Sequence, residues 1–282
     1  MKLCLVGGSI GVRADQREAI DLAARHGFDA VEPQTGYVAR LEPAALEELQ
    51  AELAARQLVW GQAGFPVDFR GSDSDFEQGL AALPKTAANL KAAGVDRVGT
   101  WLSPSHPNLP YVRNFRLHAT RLRPAARILA DHGLRLGLEY VGTHTLLVAR
   151  RYPFIHTLAE TLDLIGEIGT DNVGIVADSW HWWQAGDSAA DLRALRAEQV
   201  VSVDLNDAPT GRAKNEQRDG ERELPATTGV IDLRGFLGAL SAIGFDGPIR
   251  AEPFNRALNE LDNEAACAAT ITALRRAMEA LG

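Results

Sequence analysis

The segment Gly174-Ile-Val-Ala-Asp-Ser-Trp-His-Trp-Trp-Gln-Ala-Gly186 begins with a short apolar run and becomes polar at Asp178. An apolar run without alternating polar residues is typical of a strand that is buried on both faces, as in a parallel sheet covered by helices. Such sheets bind their ligands beyond the carboxyl ends of the strands. Because Asp178 and His181 directly follow this run, the segment predicts a functional site at its carboxyl end.

Apolar strand-like runs alternate with amphipathic helical runs on both sides of this segment, from one end of the sequence to the other. The predicted strands are Lys2 to Val6, Ala30 to Pro33, Val59 to Ala63, Val95 to Leu102, Leu134 to Tyr140, Val173 to Ala177, Val200 to Leu205 and Pro248 to Ala251. The predicted helices are Arg13 to His26, Pro43 to Arg56, a helix ending near Ala93, Asn114 to His132, Phe154 to Ile168, Asp187 to Ala197, Ile231 to Ile243 and Asn259 to Leu281. Eight such pairs match the ~250 residues of a closed eight-stranded barrel. We therefore predict an α/β fold with a single (β/α)8 TIM barrel domain over residues 1–282, and an open doubly wound sheet is the alternative.

The composition restricts the classes of function. A hydrophobic content of 46% in 282 residues is enough for one large core, and the formal charge of -8 argues against a nucleic-acid partner. No apolar stretch approaches the ~20 residues needed to span a bilayer, so we expect a cytoplasmic protein without a membrane partner. Cys4 and Cys267 lack metal-type spacing, and we expect both to be small core residues in a reducing compartment.

Acidic residues end four consecutive predicted strands. In the order of strands five to eight, they are Glu139, Asp178, Asp204 and Glu252. The carboxyl ends of barrel strands converge on one mouth, where catalytic groups lie. Four carboxylates at one mouth would repel one another unless a cation lay among them. The sequence therefore predicts a divalent metal site formed by these four residues.

Six short motifs occur at predicted strand ends and helix starts. They are Gly27-Phe-Asp-Ala-Val-Glu32, Gly137-Leu-Glu139, Asp178-Ser-Trp-His181, Asn206-Asp-Ala-Pro209, Gly229-Val-Ile-Asp232 and Ala251-Glu252-Pro253. Together they resemble the xylose isomerase-like barrel superfamily, which includes tagatose-type 3-epimerases, hydroxypyruvate isomerases and inosose dehydratases. Its members bind one divalent ion through two glutamates, an aspartate and a histidine, and they commonly associate through barrel helices and loops. The resemblance implies that Glu139, Asp178 and Glu252 are ligands, that His181 contacts metal or substrate, and that a homo-oligomer is to be considered.

The seventh strand departs from the superfamily pattern, because Asp204 stands where such proteins usually have a histidine. An all-oxygen ligand set favours Mn²⁺ or Mg²⁺, with Co²⁺ or Zn²⁺ as further candidates. The four carboxylates carry two more negative charges than the ion neutralises, so nearby cations must matter. His181 is one candidate, and Arg250, on the same strand face as Glu252, is another. A weak or absent metal is the alternative.

The resemblance implies proton transfer beside a carbonyl group, with Glu139 and Glu252 as the acid/base pair. In this chemistry an ion polarises sugar oxygens while one carboxylate removes a carbon-bound proton and forms an enediolate. Return of the proton makes the protein a sugar isomerase or epimerase, which is the leading prediction. Loss of a β-hydroxyl makes it a lyase, which dehydrates a keto-inositol or eliminates from an oxidised glycoside.

Several residues near the predicted mouth are candidates for binding a small-molecule sugar or polyol. They are His181, Glu32, Asn206, Arg212, Trp101 and Trp183. Tryptophans more often pack in a core than bind ligands, and Glu32 is equally suited to capping a helix. Arg212 lies in residues 208–225, a charged connection that is either a solvated loop or a lid over the mouth. Because no glycine-rich phosphate motif is present, we expect an unphosphorylated keto-sugar or polyol.

Two further functions stay open. A DNA-repair nuclease of the endonuclease IV type has a related barrel, but it needs several zinc-binding histidines and a basic face, whereas this chain has seven histidines and a net negative charge. A non-catalytic sugar-binding subunit becomes the better interpretation if Asp204 abolishes metal binding.

Overall fold

A computed structural model describes residues 1–279 and 281. Its strands are β1 (Lys2–Leu5), β2 (Ala30–Val31), β3 (Val59–Trp60), β4 (Ala63–Gly64), β5 (Arg97–Leu102), β6 (Ser105–His106), β7 (Arg135–Tyr140), β8 (Tyr152–Pro153), β9 (Val173–Asp178), β10 (Val200–Leu205) and β11 (Pro248–Ala251). Its α-helices are α1 (Gln16–His26), α2 (Thr35–Val38), α3 (Pro43–Ala55), α4 (Asp73–Ala92), α5 (Tyr111–Asp131), α6 (His144–Leu147), α7 (Leu158–Ile168), α8 (Ser179–Ala185), α9 (Ala189–Arg193), α10 (Leu233–Ala242), α11 (Arg256–Asn259) and α12 (Asn263–Glu279). Short 3₁₀ helices cover Gly8–Ile10, Ala197–Gln199 and Lys214–Glu216.

Nine of the strands form one parallel sheet in the order β3-β2-β1-β11-β10-β9-β7-β5-β4. The two outermost strands, β3 and β4, come from one stretch of chain and are separated only by Gly61 and Gln62. The sheet therefore closes on itself through this stretch, which acts as one interrupted strand of an eight-stranded barrel. The prediction of an α/β TIM barrel is confirmed.

Local sequence sets the limits of the first helix. Asp15 caps α1 by accepting hydrogen bonds from the backbone N–H groups of Arg17 and Glu18. Gly27 ends the helix with φ at 72°, in the left-handed region that favours glycine. The helix therefore ends at His26, where the sequence predicts its end.

The loops at the barrel mouth differ from the prediction. The proline-rich residues 103–110, predicted to be irregular, contain β6, which pairs with β8 in an antiparallel two-stranded sheet. Because β8 occupies the chain before it, the helix predicted from Phe154 begins at Leu158, with Thr157 as its cap. Two-residue strands of this kind depend on a partner about fifty residues away, so the local sequence does not reveal them.

Three helices also differ in extent. Residues 179–185, for which no helix is predicted, form α8 directly after Asp178. The helix predicted over Asp187 to Ala197 is reduced to α9. The last predicted helix, Asn259 to Leu281, is divided into α11 and α12, and its residue Ala280 lies outside the described residues.

Three of the strands at the predicted site, β9, β10 and β11, are buried along their whole length. Every residue of β9 and β10 is buried, as the apolar run in the sequence predicts. A Cβ at Gly137 would lie 2.7 Å from Val176, and a Cβ at Gly174 would lie 2.4 Å from the backbone of Gln199. Glycine at these two positions therefore permits the close packing of the barrel. Within the described residues, no helix combines the length and the apolar character needed to cross a membrane.

The stability of the barrel is expected to fall in acid because of His118 on α5. Its side chain is 3% exposed, it packs against Phe69 and Phe154, and burial lowers its pKa from 6.5 to about 4. Between these two pH values the unfolded chain binds a proton that the folded chain excludes. The free energy of unfolding is therefore expected to drop by up to about 3 kcal/mol as the pH falls from 6.5 towards 4.

Urea denaturation between pH 7 and pH 4.5 measures this effect, with His118→Gln as the comparison. Other groups titrate equally in both proteins, so the difference between their pH profiles isolates the contribution of His118. The wild-type protein should lose more stability in acid than the variant does, and parallel profiles would contradict the assignment.

Candidate active site

The acidic residues of the predicted site come from neighbouring strands in register. Asp178 of β9 lies beside Asp204 of β10, which in turn lies beside Arg250 of β11. Glu252 directly follows β11, and Glu139 lies near the corresponding end of β7. One carboxylate oxygen from each of the four acids lies within 4.8 Å of the other three. The barrel therefore brings together the four carboxylates that end the predicted strands.

Arg250 is the direct partner of Asp204. Its Nε and Nη2 atoms both donate to the Asp204 carboxylate, the second at 2.9 Å. Asp204 is fully buried and Arg250 is 9% exposed, so the bidentate pair lies away from bulk water. Nη1 of Arg250 lies 3.8 Å from Oε1 of Glu32, and Nη2 lies 3.8 Å from Oε1 of Glu252. These two separations exceed hydrogen-bond distance. Among the acids of the site, Arg250 therefore neutralises Asp204, as its hydrogen bonds show.

A second guanidinium group, that of Arg222, enters the cluster from the long connection after β10. Its Nη1 donates to Oδ2 of Asp178 and its Nη2 donates to Oδ1 of Asp219, each at 2.9 Å. The same group lies 3.5 Å from Oε2 of Glu252 and 3.2 Å from Nε2 of His181. With its side chain 1% exposed, Arg222 is a fixed internal cation of the site.

Asp207 fixes the connection that carries Arg222. Its buried carboxylate accepts hydrogen bonds from the backbone N–H groups of Ala208, Thr228, Gly229 and Ile231. Its backbone also forms an antiparallel bridge with Glu223, the residue after Arg222. The connection is therefore tied to the barrel at both ends and beside Arg222, and these hydrogen bonds oppose the free motion of a hinged lid.

Asn206 forms hydrogen bonds with two of the acidic residues, Asp178 and Glu252. Its side-chain N–H donates to Oδ1 of Asp178 at 3.0 Å, and its side-chain oxygen accepts from the backbone N–H of Glu252 at 3.1 Å. Oδ1 of Asp178 also accepts from the backbone N–H of Trp180, at 2.7 Å, so the Asp178 carboxylate caps α8. Asn206 is fully buried. The structure thus places it behind the two acids and not at a cavity surface, where the sequence predicts a substrate contact.

Burial shifts the protonation of the two glutamates. It raises the pKa of Glu139 well above its usual range, and Glu252 and Asp204 raise it further. Burial also raises the pKa of Glu252 to about 8, with Asp204 adding to the shift. The pKa of His181 is lowered, because burial disfavours the charged imidazole. Glu252 is therefore suited to exchanging a proton near neutral pH, and the buried surroundings of Glu139 favour its protonated form.

The cluster fits a divalent cation. Oε1 of Glu139 is buried and has no hydrogen-bond partner among the described residues. This glutamate belongs to two overlapping donor sets, one with Asp178 and His181 and the other with the remaining three strand-end acids. With Glu139 included, the cluster contains six acidic side chains and two guanidinium groups, so the acids outnumber the cations and could hold a further cation. The six carboxylates are those of Glu32, Glu139, Asp178, Asp204, Asp219 and Glu252.

Two cavities meet at Glu139, Glu252 and Trp101. The inner cavity has a volume of about 250 Å³, and its polar lining includes Ser9, Glu32, Gln62 and Arg250. The outer cavity has a volume of about 310 Å³, and its lining includes Leu146, His181, Asp219, Arg222 and Phe254. Trp101 is 47% exposed, and Arg70 lies 4.3 Å over its ring. Together the two cavities reach the size range of small-molecule sites, and Trp101 forms a wall common to both.

Two further residues that the sequence predicts as substrate contacts lie away from both cavities. Arg212 donates to Glu221 at 2.7 Å in the exposed part of the connection. The ring of Trp183 lies 6.0 Å from the ring of Trp180 and 5.4 Å from Nζ of Lys214. Arg212 therefore has its partner nine residues away in the same connection, and Trp183 packs against a residue of its own helix. Of the predicted contacts, the structure places the other three, His181, Glu32 and Trp101, at a cavity.

Sequence reasoning missed Arg222 and Asp219 as members of the site. Both lie in a run of alternating charges that is typical of a solvated loop. The one signal in the sequence was the spacing of three residues between Asp219 and Arg222. This spacing lets the Asp219 carboxylate accept from the Arg222 guanidinium group, at 2.9 Å.

Comparison with known proteins identifies the family. The profile of the xylose isomerase-like TIM barrel family matches residues 20–277. A solved structure of a xylose isomerase domain protein from Alicyclobacillus acidocaldarius is 32% identical, with a TM-score of 0.88 and 99% of each chain covered. An inosose isomerase from Bacillus velezensis is 23% identical over 260 residues, which cover 90% of this chain and 89% of that protein. A 3-dehydroshikimate dehydratase from Pseudomonas aeruginosa is 29% identical over 139 residues, which cover 49% of this chain and 21% of that protein. The chain therefore belongs to the xylose isomerase-like TIM barrel family.

Proposed function

We propose that this protein is a divalent-metal-dependent sugar isomerase or epimerase that acts on a keto-sugar or polyol through an enediolate. One observation carries the proposal: two glutamates, Glu139 and Glu252, lie where the two cavities meet, with their carboxylate oxygens within 4.8 Å of each other. Two carboxyl groups placed in this way can take up and deliver a proton at a substrate carbon. The similarity to an inosose isomerase supports a keto-inositol as the substrate.

Glu139 and Glu252 are the acid/base pair in this proposal. One carboxylate removes the proton from the carbon beside the carbonyl group, and the other carboxyl group delivers a proton to the opposite face of that carbon or to its neighbour. His181, Glu32 and Trp101 contact the substrate from the cavity walls. Because the site is largely buried, water has little access to the reacting carbon.

A divalent ion, when bound, would polarise the carbonyl oxygen of the substrate. Glu139, Asp178 and Glu252 would hold it, with Asp204 or His181 as a further donor. The predominance of oxygen donors favours Mn²⁺ or Mg²⁺, and Co²⁺ or Zn²⁺ are the other candidates.

The charge of the site favours a neutral substrate. Six carboxylates surround the junction of the cavities, and both guanidinium groups are already bound, Arg222 to Asp178 and Arg250 to Asp204. A substrate carboxylate would lie beside these acids, and each guanidinium group already has a carboxylate partner. A keto-inositol or ketose suits this environment better than an acid such as 3-dehydroshikimate.

A lyase on the same barrel is the second candidate. The similarity to a 3-dehydroshikimate dehydratase favours it, and proton removal by Glu139 or Glu252 would begin either reaction. Elimination would then follow if a hydroxyl group on the next carbon left with a proton from the second glutamate. A non-catalytic sugar-binding subunit is the outcome if neither reaction occurs.

Incubation with scyllo-inosose, a keto-inositol, in D₂O with Mn²⁺ tests the proposal. We expect deuterium to enter the carbon beside the carbonyl group and a second keto-inositol to form, both visible by proton NMR. D-fructose and 3-dehydroshikimate are tested in parallel, and mass spectrometry detects any loss of water. Deuterium uptake without water loss supports the isomerase or epimerase, whereas dehydrated product supports the lyase. Neither change with any of the three compounds would contradict both enzymatic proposals.

Elemental analysis of the purified protein accompanies this test. We expect about one divalent ion per chain, as for other single-ion sites of this charge. A protein that stays free of metal after incubation with Mn²⁺, Mg²⁺, Co²⁺ and Zn²⁺ would contradict the metal-dependent proposal.

A further inference from the structure

We propose that Arg250 is a substrate-binding residue of the inner cavity, that Asp204 positions it, and that Arg250 and Glu32 together bind one hydroxyl group of a neutral polyol. The class of ligand rests on the proposed function. Asp204 then has a role other than that of metal ligand.

The geometry of Arg250 leaves one nitrogen free for a ligand. Nε and Nη2 are bound to Asp204 along one edge of the guanidinium plane, so Nη1 is the nitrogen that Asp204 does not engage. The near neighbour of Nη1 is Oε1 of Glu32 at 3.8 Å, which is too far for a hydrogen bond. Arg250 and Glu32 both line the inner cavity. A donor and an acceptor therefore stand side by side at the cavity surface without being bonded to each other.

A hydroxyl group matches this pair because it both accepts and donates a hydrogen bond. Its oxygen would accept from Nη1 of Arg250, and its hydrogen would be donated to Glu32. Gln62 adds a second polar group to the same cavity, since its Oε1 accepts from Ser202 at 2.6 Å and its amide N–H groups stay available. An anionic ligand group would instead lie against Glu32 and Glu139, and a cationic group would lie against Arg250. The cavity therefore selects a neutral, hydroxyl-rich ligand.

Asp204 holds Arg250 in place through a contact made possible by strand register. Asp204 and Arg250 are paired positions of β10 and β11, and both carboxylate oxygens of Asp204 accept from the guanidinium group. Without this anchor, Arg250 would be free to turn towards Glu252, whose Oε1 lies 3.8 Å from Nη2. Asp204 thus sets the direction of Nη1, while Glu139, Asp178 and Glu252 stay available to a metal.

Binding of two probes tests the proposal: Mn²⁺ alone, and myo-inositol in the presence of Mn²⁺, both by isothermal titration calorimetry. Arg250→Lys and Asp204→Asn are each expected to raise the Kd for myo-inositol about tenfold, because each loses the oriented Nη1 donor. The Kd for Mn²⁺ should change less than about threefold in both, whereas Glu139→Gln should weaken Mn²⁺ binding at least about tenfold. Arg56→Lys, which alters an exposed ion pair with Asp21, is the matched control and should leave both constants unchanged.

The double variant separates a positioning role from general damage to the fold. If Asp204 acts through Arg250, the variant carrying both substitutions should have about the same Kd for myo-inositol as the single variant with the higher Kd. If the two substitutions act independently, their fold-increases in Kd should multiply. Glu32→Gln provides a check at the cavity wall that leaves the buried ion pair intact, and it should also weaken myo-inositol binding without changing Mn²⁺ binding.

Three results would overturn the inference. They are a loss of Mn²⁺ affinity in Asp204→Asn equal to that in Glu139→Gln, an unchanged Kd for myo-inositol in Arg250→Lys, and the absence of saturable myo-inositol binding by the wild-type protein. Failure of the proposed function has a different signature, because it appears as absent deuterium exchange and absent water loss in a protein that still binds myo-inositol through Arg250.

Discussion

Replacing Glu139 by glutamine is expected to lower kcat by about a thousandfold, because a positioned general base contributes a factor of ~10² to 10⁴. The amide keeps the size of this side chain, which is 8% exposed, but it can neither take up nor deliver the substrate proton. The rate of deuterium uptake by scyllo-inosose in D₂O, at saturating Mn²⁺, measures the change. Elemental analysis of each sample reports whether the ion is still bound, since Glu139 is also a proposed ligand.

Glu77→Gln is the matched control for this experiment. Glu77 is exposed on α4, so the same chemical change there should leave the rate and the metal content unaltered. A Glu139→Gln protein that retains its ion and exchanges within about tenfold of the wild-type rate would show that another group removes the proton.

The Arg222→Met variant is expected to lose about 3–5 kcal/mol of unfolding free energy in the metal-free protein, because it leaves buried carboxylates without their cation. Arg222 is 1% exposed and donates to Asp178, which is 1% exposed, and to Asp219. Methionine keeps most of the aliphatic length of the side chain but lacks the guanidinium group, which lies 5.4 Å from the ring of Trp180 and 4.9 Å from the ring of Phe254. The loss therefore reports the whole guanidinium group, with its charge, its hydrogen bonds and its contacts with the two rings. Urea denaturation at pH 7.5 measures it.

Arg218→Met provides the control from the same connection. The Arg218 side chain is 69% exposed, and its ion pair with Glu221 is a surface contact of 3.3 Å. Such pairs contribute little, so this variant should change stability by less than about 0.5 kcal/mol. Equal effects of the two substitutions would show that Arg222 is not an internal counter-ion of the carboxylates.

Much of the barrel follows from local sequence. The apolar run at 173–177 becomes β9, and the run at 200–205 becomes β10, because residues buried on both faces leave a continuous hydrophobic signal. Gly27 ends α1 because glycine readily adopts the left-handed conformation needed there. The short strands β6 and β8 escape prediction, since each gains its hydrogen bonds only from the other.

The candidate site, too, follows from the sequence only in part. The four strand-end acids can be read from the sequence, since parallel strands carry their carboxyl ends to one rim. Asn206 and Arg212 show the limit of that reasoning. Asn206 lies behind Asp178 instead of facing a cavity, and Arg212 is bound to Glu221. Neither outcome follows from the position of a residue after a strand.

The sequence by itself determined the alternating strands and helices, the barrel, and the presence of Glu139, Asp178, Asp204 and Glu252 at one rim. Only the tertiary structure decided which cation each acid takes. Arg222 reaches Asp178 across 44 residues of sequence, and Arg250 reaches Asp204 across 46. The physical reason is that the spacing of apolar residues, which marks a strand or a helix, is a property of neighbouring positions in the chain. The pairing of buried charges depends instead on separation in space and on the exclusion of water, which exist only after the barrel has closed.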